Sequence, residues 1–152
     1  MLRSNRLPAL LSLLSVLIGS CTSGPEPIAY GQDECTHCRM GITDRRFGSE
    51  WVTEKGKIFK FDSIECLVKY YYQQKSANDQ GTVWVTAFDQ PEAFIPAKDA
   101  HYLRSEKRPS PMGMFLSAYN GNAAAENAQK ENGGDIMSWE QLKVYIEKEN
   151  RF

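Results

Sequence analysis

Phe47-Gly48-Ser49-Glu50-Trp51-Val52-Thr53, Lys57-Ile58-Phe59-Lys60-Phe61 and the run from Asp62 to Tyr72 (DSIECLVKYYY) decide the fold between them. The first two read as the strands of a hairpin. Phe59 and Phe61 alternate with Lys60, as on a half-buried strand, and Gly56 supplies the turn. The third run reads as a helix. Asp62 is placed to cap it, with Glu65 three residues on, as in a capping box. Ile64, Leu67, Val68, Tyr71 and Tyr72 then fall on one apolar stripe. Cys66 sits off that stripe in the first turn.

Towards the C-terminus the pattern returns in looser form. Ser76 to Gly81 is a polar loop. Thr82 to Phe88 (TVWVTAF) is dense in β-branched and aromatic residues, which predicts a central strand. Asp89 to Glu92 turns the chain, and a shorter extended piece follows around Ala100 to Arg104. Ser105 to Pro111 is a polar loop with two prolines. Met112 to Tyr119 reads as a strand, Asn120-Gly121 as a turn, and Ala123 to Glu131 as a helix by propensity. Gly133-Gly134 stops that helix, Asp135 to Met137 adds a short strand, and Ser138 with Gln141 forms a capping box for a last helix. Trp139, Leu142 and Ile146 make its inner stripe. The order is two strand–strand–helix units with an extra strand between them and a helix at the end. It predicts an α+β fold with a mainly antiparallel sheet. No residue-level repeat links the two units.

Upstream, Arg3 and Arg6 precede an apolar run from Leu7 to Ile18. That is the pattern of a secretory signal, and it is short of the ~20 apolar residues of a membrane-spanning helix. It ends in Ile18-Gly19-Ser20-Cys21, which resembles the lipobox of bacterial lipoproteins. The expected organisation is a signal peptide over 1–20, a tether over 21–29 beginning at lipidated Cys21, and a single domain over 30–152. The protein is then expected to be exported and lipid-anchored in the cell envelope, on the periplasmic side of the inner or outer membrane. A plain thiol after an ordinary signal peptide is the simpler reading of Cys21. The formal net charge of −1 becomes −3 without Arg3 and Arg6. Neither value, nor any basic patch, suggests nucleic-acid binding.

Without Cys21, three of the 4 cysteines remain: Cys35, Cys38 and Cys66. An exported domain stapled by disulfides usually carries an even set. Cys35-Thr36-His37-Cys38-Arg39-Met40 places two thiols, an imidazole and a thioether in one turn-sized stretch. Thiolate and thioether sulfur favour Cu(I), and a thioether is a poor ligand for Zn²⁺. Cys-x-x-Cys also describes a redox pair, although the βαβ context of such motifs is missing. A zinc knuckle lacks its second ligand pair, and a c-type haem site would need His where Arg39 stands. Purely structural use of Cys35, Cys38 and Met40 stays open as well. Met112 and Met114 flank Gly113 after Pro111. On chemistry alone they read as fillers of core gaps. His101 reads as structural.

Taken in order, these features resemble the NosL family of lipoproteins associated with nitrous oxide reductase assembly. The features are the lipobox at Cys21, Cys35-x-x-Cys38-x-Met40 followed by Gly41-Ile42, Phe61-Asp62, Pro111-Met112-Gly113, the alanine-rich helix, Gly133-Gly134, and Trp139 with Leu142. The resemblance implies a fold of two strand–strand–helix units similar to the organomercurial lyase-like fold. It implies Cu(I) as cargo, no catalysis, and delivery to a copper-receiving apo-enzyme, nitrous oxide reductase by the family's association. Carried over onto this chain, the family's ligands are Cys38, Met40 and Met112; this chain's own residues add Cys35, with Met114 and with His37 and Cys66, which map onto no required family role, as further candidates. Arg39 departs from the family's usual Gly between Cys and Met, and a cation there would favour the neighbouring thiolate. The alternative is a thiol–disulfide oxidoreductase using Cys35 and Cys38. A carbon–mercury lyase using the cysteines and Asp62 rests on fold analogy alone and ranks last.

Overall fold

The structure is a computed structural model that describes residues 24–74 and 81–149. The leader, Cys21 and residues 75–80 of the expected polar loop lie outside the described residues.

The chain order is β1 (Ser49–Thr53), β2 (Ile58–Phe61), α1 (Ile64–Gln73), β3 (Gly81–Thr86), β4 (Phe94–Pro96), β5 (His101–Arg104), β6 (Leu116–Tyr119), α2 (Asn122–Asn132), β7 (Asp135–Met137) and α3 (Trp139–Glu149). Two antiparallel sheets form, in the orders β2-β1-β3-β4 and β6-β5-β7. Each half repeats one connection: a hairpin, a helix, and a returning strand that pairs with the hairpin's first strand. The α+β reading with two strand–strand–helix units therefore holds, and the repeat lies in the backbone path. A single parallel bridge, Ala87↔Ala118, joins the sheets, reinforced by Phe88 N donating to Ala118 O at 2.8 Å.

The hairpin registers Trp51 against Phe59 and Ser49 against Phe61. The Trp51 and Phe59 rings stack with centroids 5.4 Å apart, and Tyr71 of α1 meets Trp51 edge-on at 5.5 Å. This explains how Tyr71, though exposed, still belongs to the expected stripe. The first turn of α1 behaves differently from an amphipathic surface helix. Ile64, Glu65, Cys66, Leu67 and Val68 are all buried. The cap is Ser63, not Asp62: the Ser63 hydroxyl accepts from Cys66 N at 3.4 Å. Asp62 and Glu65 are thereby released for other partners.

In the second half, Tyr102 and Leu103 point to opposite faces of β5, and both are fully buried. Leu103 packs with Tyr119, Ala125 and Ala128 under α2, and Tyr102 joins the main core with Leu116, Ala118, Leu142 and Ile146. Strand β4 was not expected, because its three residues are too few to show a period; its terminal Pro96 suits an edge strand. The strand expected over 112–119 begins only at Leu116. Gly113 (φ +75) and Phe115 (φ +62) take left-handed conformations that no strand tolerates. The last helix starts as expected: Ser138 N donates to Gln141 Oε1 at 2.9 Å, and Gln141 N to Ser138 Oγ at 3.4 Å. At Gly134 a side chain is excluded, since a Cβ would stand 2.0 Å from Arg104 O.

The N-terminal segment is tied to the first sheet. Glu26 N donates to Glu50 Oε2 at 2.9 Å, Lys60 Nζ reaches Pro27 O at 3.0 Å and Asp33 Oδ2 at 2.8 Å, and Ile28 is buried. Any free tether thus ends before Glu26. Glu50 is fully buried, and its Oε1 has no hydrogen-bond partner among the described residues. Burial raises its carboxyl to about 7, against the lowering effect of the Glu26 amide and Lys60. A carboxyl that holds its proton longer in the fold than in the unfolded chain destabilises the fold as pH rises from about 4.5 to 7, and by a constant amount above that. Glu50→Gln is therefore expected to match the parent at pH 4 and to exceed it by about 2 kcal/mol at pH 8. Urea unfolding across that range reads the difference, and a gap independent of pH would refute the assignment.

Candidate metal centre

The stretch 31–42 folds as a knuckle. Gly31 N donates to Ile42 O at 2.8 Å, Ile42 N to Asp33 O at 2.9 Å and Cys35 N to Met40 O at 2.8 Å, with a bridge at Glu34↔Gly41. Arg39 N closes the tip on Cys35 O at 3.0 Å, and Thr36 N docks the knuckle onto β2 through Lys60 O at 2.8 Å. To reverse direction here, Arg39 adopts φ +66. That left-handed conformation costs a side-chain-bearing residue about 1 kcal/mol and costs Gly almost nothing.

The knuckle faces the buried N-terminal turn of α1. One donor atom each from Cys35, Cys38, Asp62 and Cys66 lie within 4.8 Å of one another. Cys35 and Cys66 are fully buried and Asp62 nearly so; Cys38 is half-buried. Cys38 Sγ stands 3.5 Å from Asp62 Oδ2. All three cysteines are free thiols.

The sulfurs do not titrate alike. The Cys66 thiol donates to the Cys35 sulfur. Together with the amides of Cys38, Asp62 and His37, it outweighs burial and holds Cys35 down to about 6. Cys66 is pushed up by that same bond, by burial and by the Asp62 carboxylate. Cys38 is raised by burial, with Cys35 and Asp62 adding to it and the Met40 amide opposing. The pocket therefore offers one thiolate and two thiols, a donor set that could hold a soft cation on loss of the remaining protons.

The other sequence candidates stand around this pocket. Met40 is 56% exposed on a cleft shared with Asp62, Arg46, Pro109, Ser110 and Pro111. Met112 and Met114 lie on the loop before β6, half-buried against the main core that also contains Cys35 and Cys66. His37 is half-buried on the knuckle but outside the four-donor cluster. Burial and Lys69 lower its pKa, which keeps its imidazole neutral. His101 sits on β5 opposite Tyr119, in keeping with a structural role. Asp62 is the donor that the sequence reading missed, having been assigned to a cap. The available signal was its spacing of four from Cys66, which puts both on one face at a helix start.

An α+β domain that gathers three thiols and a carboxylate at one helix terminus has the donor set of a small metal-binding domain. The chain is a member of the NosL family, whose family model matches residues 28–146. The fold is also that of a solved structure, the crystal structure of the copper chaperone NosL from Shewanella denitrificans. The TM-score is 0.63 at 21% identity, and the match covers 77% of this chain and 96% of that one. No curated protein gives a significant match.

Arg39→Gly is expected to relieve the backbone at the knuckle tip. We expect about 1 kcal/mol more stability and a Tm higher by about 4 °C. Arg39→Ala, which keeps a Cβ at positive φ, should gain almost nothing. Equal gains in both variants, measured by thermal unfolding, would place the cost elsewhere.

Proposed function

We propose that the protein is a Cu(I) chaperone, tethered to a membrane by lipid on Cys21, and that it performs no catalysis itself. The observation that carries this reading is the convergence of Cys35, Cys38 and Cys66 in one pocket with only Cys38 partly exposed. Thiolates of this kind select a soft ion. Met40, standing in the open cleft beside Asp62, adds a thioether at the entrance, which suits Cu(I) better than Zn²⁺. Two donor sets then share Cys38. The inner one is Cys35, Cys38 and Cys66, and the outer one is Cys38, Met40 and Met112. Ligand exchange through a shared sulfur moves a cargo ion outward without ever freeing it. Family membership supports the reading, as does the role of the Shewanella denitrificans protein as a copper chaperone.

The receiver we propose is the apo form of an exported copper enzyme, nitrous oxide reductase by family association. The leader supports anchoring in the cell envelope. Because Glu26 is already held by Glu50, the five residues after Cys21 span at most about 18 Å. The domain would therefore work close to the bilayer, with its knuckle carried on the same sheet as the segment from Glu26 to Ile28.

Titrating the reduced chain with Cu(I) against a colorimetric chelator tests this. We expect Cys38→Ser to weaken binding by more than tenfold and Met40→Leu by a smaller factor, with sulfur neighbours dominating the X-ray absorption of the complex. Cu(I) binding unchanged in both variants would sink the proposal. A reversible Cys35–Cys38 disulfide with reductase activity insensitive to Met40→Leu would favour the thiol–disulfide oxidoreductase in its place.

A further inference from the structure

Glu65 occupies the second position of α1, fully buried, between the metal-site residues Asp62 and Cys66. Its side chain does not complete a capping box. Its Oε1 accepts a hydrogen bond from Ser110 Oγ, 45 positions away in the other half of the molecule. Ser110 Oγ in turn accepts from Phe115 N at 2.9 Å and Leu116 N at 3.4 Å, and Gly113 N donates to Ser110 O at 3.0 Å. A hydroxyl has one proton and two lone pairs. All three are used here, and the proton goes to Glu65.

Ser110 thus closes the loop that carries Met112 and Met114. Within that loop Gly113 and Phe115 both have positive φ. For Phe115 this is a strained state that persists only where the surroundings hold it. Ser110 and its neighbours Pro109 and Pro111 also share the cleft of Asp62 and Met40. One helical turn therefore bears two metal donors and, between them, the anchor of the methionine loop.

We infer that Glu65 is a positioning residue: through Ser110 it docks the loop 110–116 beside the thiol pocket and presents Met112 as the distant thioether ligand. This rests on the Cu(I) reading above. It adds a long-range link between the halves that the ligands alone do not explain. Burying a carboxyl at a site that an apolar residue could fill is costly, and docking the loop gives that cost a function.

The test compares Glu65→Ala, Glu65→Gln, Ser110→Ala, Met112→Leu and the Glu65→Ala/Met112→Leu pair in the full chain. The readouts are Cu(I) affinity by chelator competition and amide exchange of residues 110–116 without metal. Glu65→Ala should weaken Cu(I) binding about tenfold, as loss of a ligand-orienting partner typically does, and should speed exchange in the loop. Glu65→Gln keeps an acceptor oxygen and should stay within about twofold of the parent. Met112→Leu should cost less in the Glu65→Ala background than alone, because the loop is already undocked. If Glu65→Ala does not fold, Ser110→Ala, which leaves the helix untouched, should show the same pair of losses. Multiplicative losses in the double variant, or parent-like loop exchange in Glu65→Ala, would overturn the inference. A parent chain that fails to hold Cu(I) would overturn the chaperone reading instead, while loop exchange in Glu65→Ala still decides the docking.

Discussion

Much of this structure depends on the complete burial of the first turn of α1. A helix start leaves backbone amides without partners, and water normally supplies some of them. From Phe61 to Val68 no residue is exposed, so polar groups are answered from within, save Glu65 Oε2, which has no hydrogen-bond partner among the described residues. Ser63 caps Cys66 N, and its carbonyl accepts from Ser49 Oγ at 3.0 Å, which ties the turn to β1. Glu65 is answered by Ser110 from the second half, and Cys66 by Cys35 from the knuckle. Among the described residues the backbone pairing between the two sheets is the single bridge at Ala87 and Ala118, so this turn adds a second polar tie between the halves around the site.

The same burial accounts for what the sequence did and did not reveal. Hairpin, helices and the second unit were legible because their periods run over several residues and their caps are local. Ser138 with Gln141 is the clearest case. The start of α1 misled because Asp62 and Glu65 match a capping box while lying where tertiary partners compete for both side chains. The Met112–Phe115 segment misled for a related reason: its apolar residues look strand-like, but Ser110 holds the chain in a closed loop with left-handed residues. In the site, Cys35 and Cys38 were evident from spacing. Cys66 looked peripheral on a helical wheel, which assumes one buried face, whereas this turn is buried all round.

Chemically, the pocket separates roles among like residues. Cys35 is the buried sulfur with most hydrogen-bond donors directed at it, and so the one most ready to be anionic. Cys66 is its donor, held by burial and Asp62 in the protonated form until a cation displaces the proton. Cys38 is the half-buried one, in contact with Asp62, which itself lines the open cleft. Differences of environment, and not of residue type, thus set an order in which three identical groups meet an incoming ion. Arg39 fits this picture as an exposed cation at the rim, kept there at some conformational cost.

The parity of the thiol set has a consequence of its own. Three sulfurs in mutual reach can form at most one disulfide among themselves, so internal disulfide formation always leaves one reduced sulfur. An external disulfide meets Cys38 first, since the other two are buried. Exchange of the Cys38 thiolate with that disulfide releases one external thiol and leaves a mixed disulfide, and the thiolate of Cys35 or Cys66 within reach can then displace the second external thiol. The site is therefore self-clearing: an adduct at its mouth is exchanged for an internal bond, and one soft donor survives every such event.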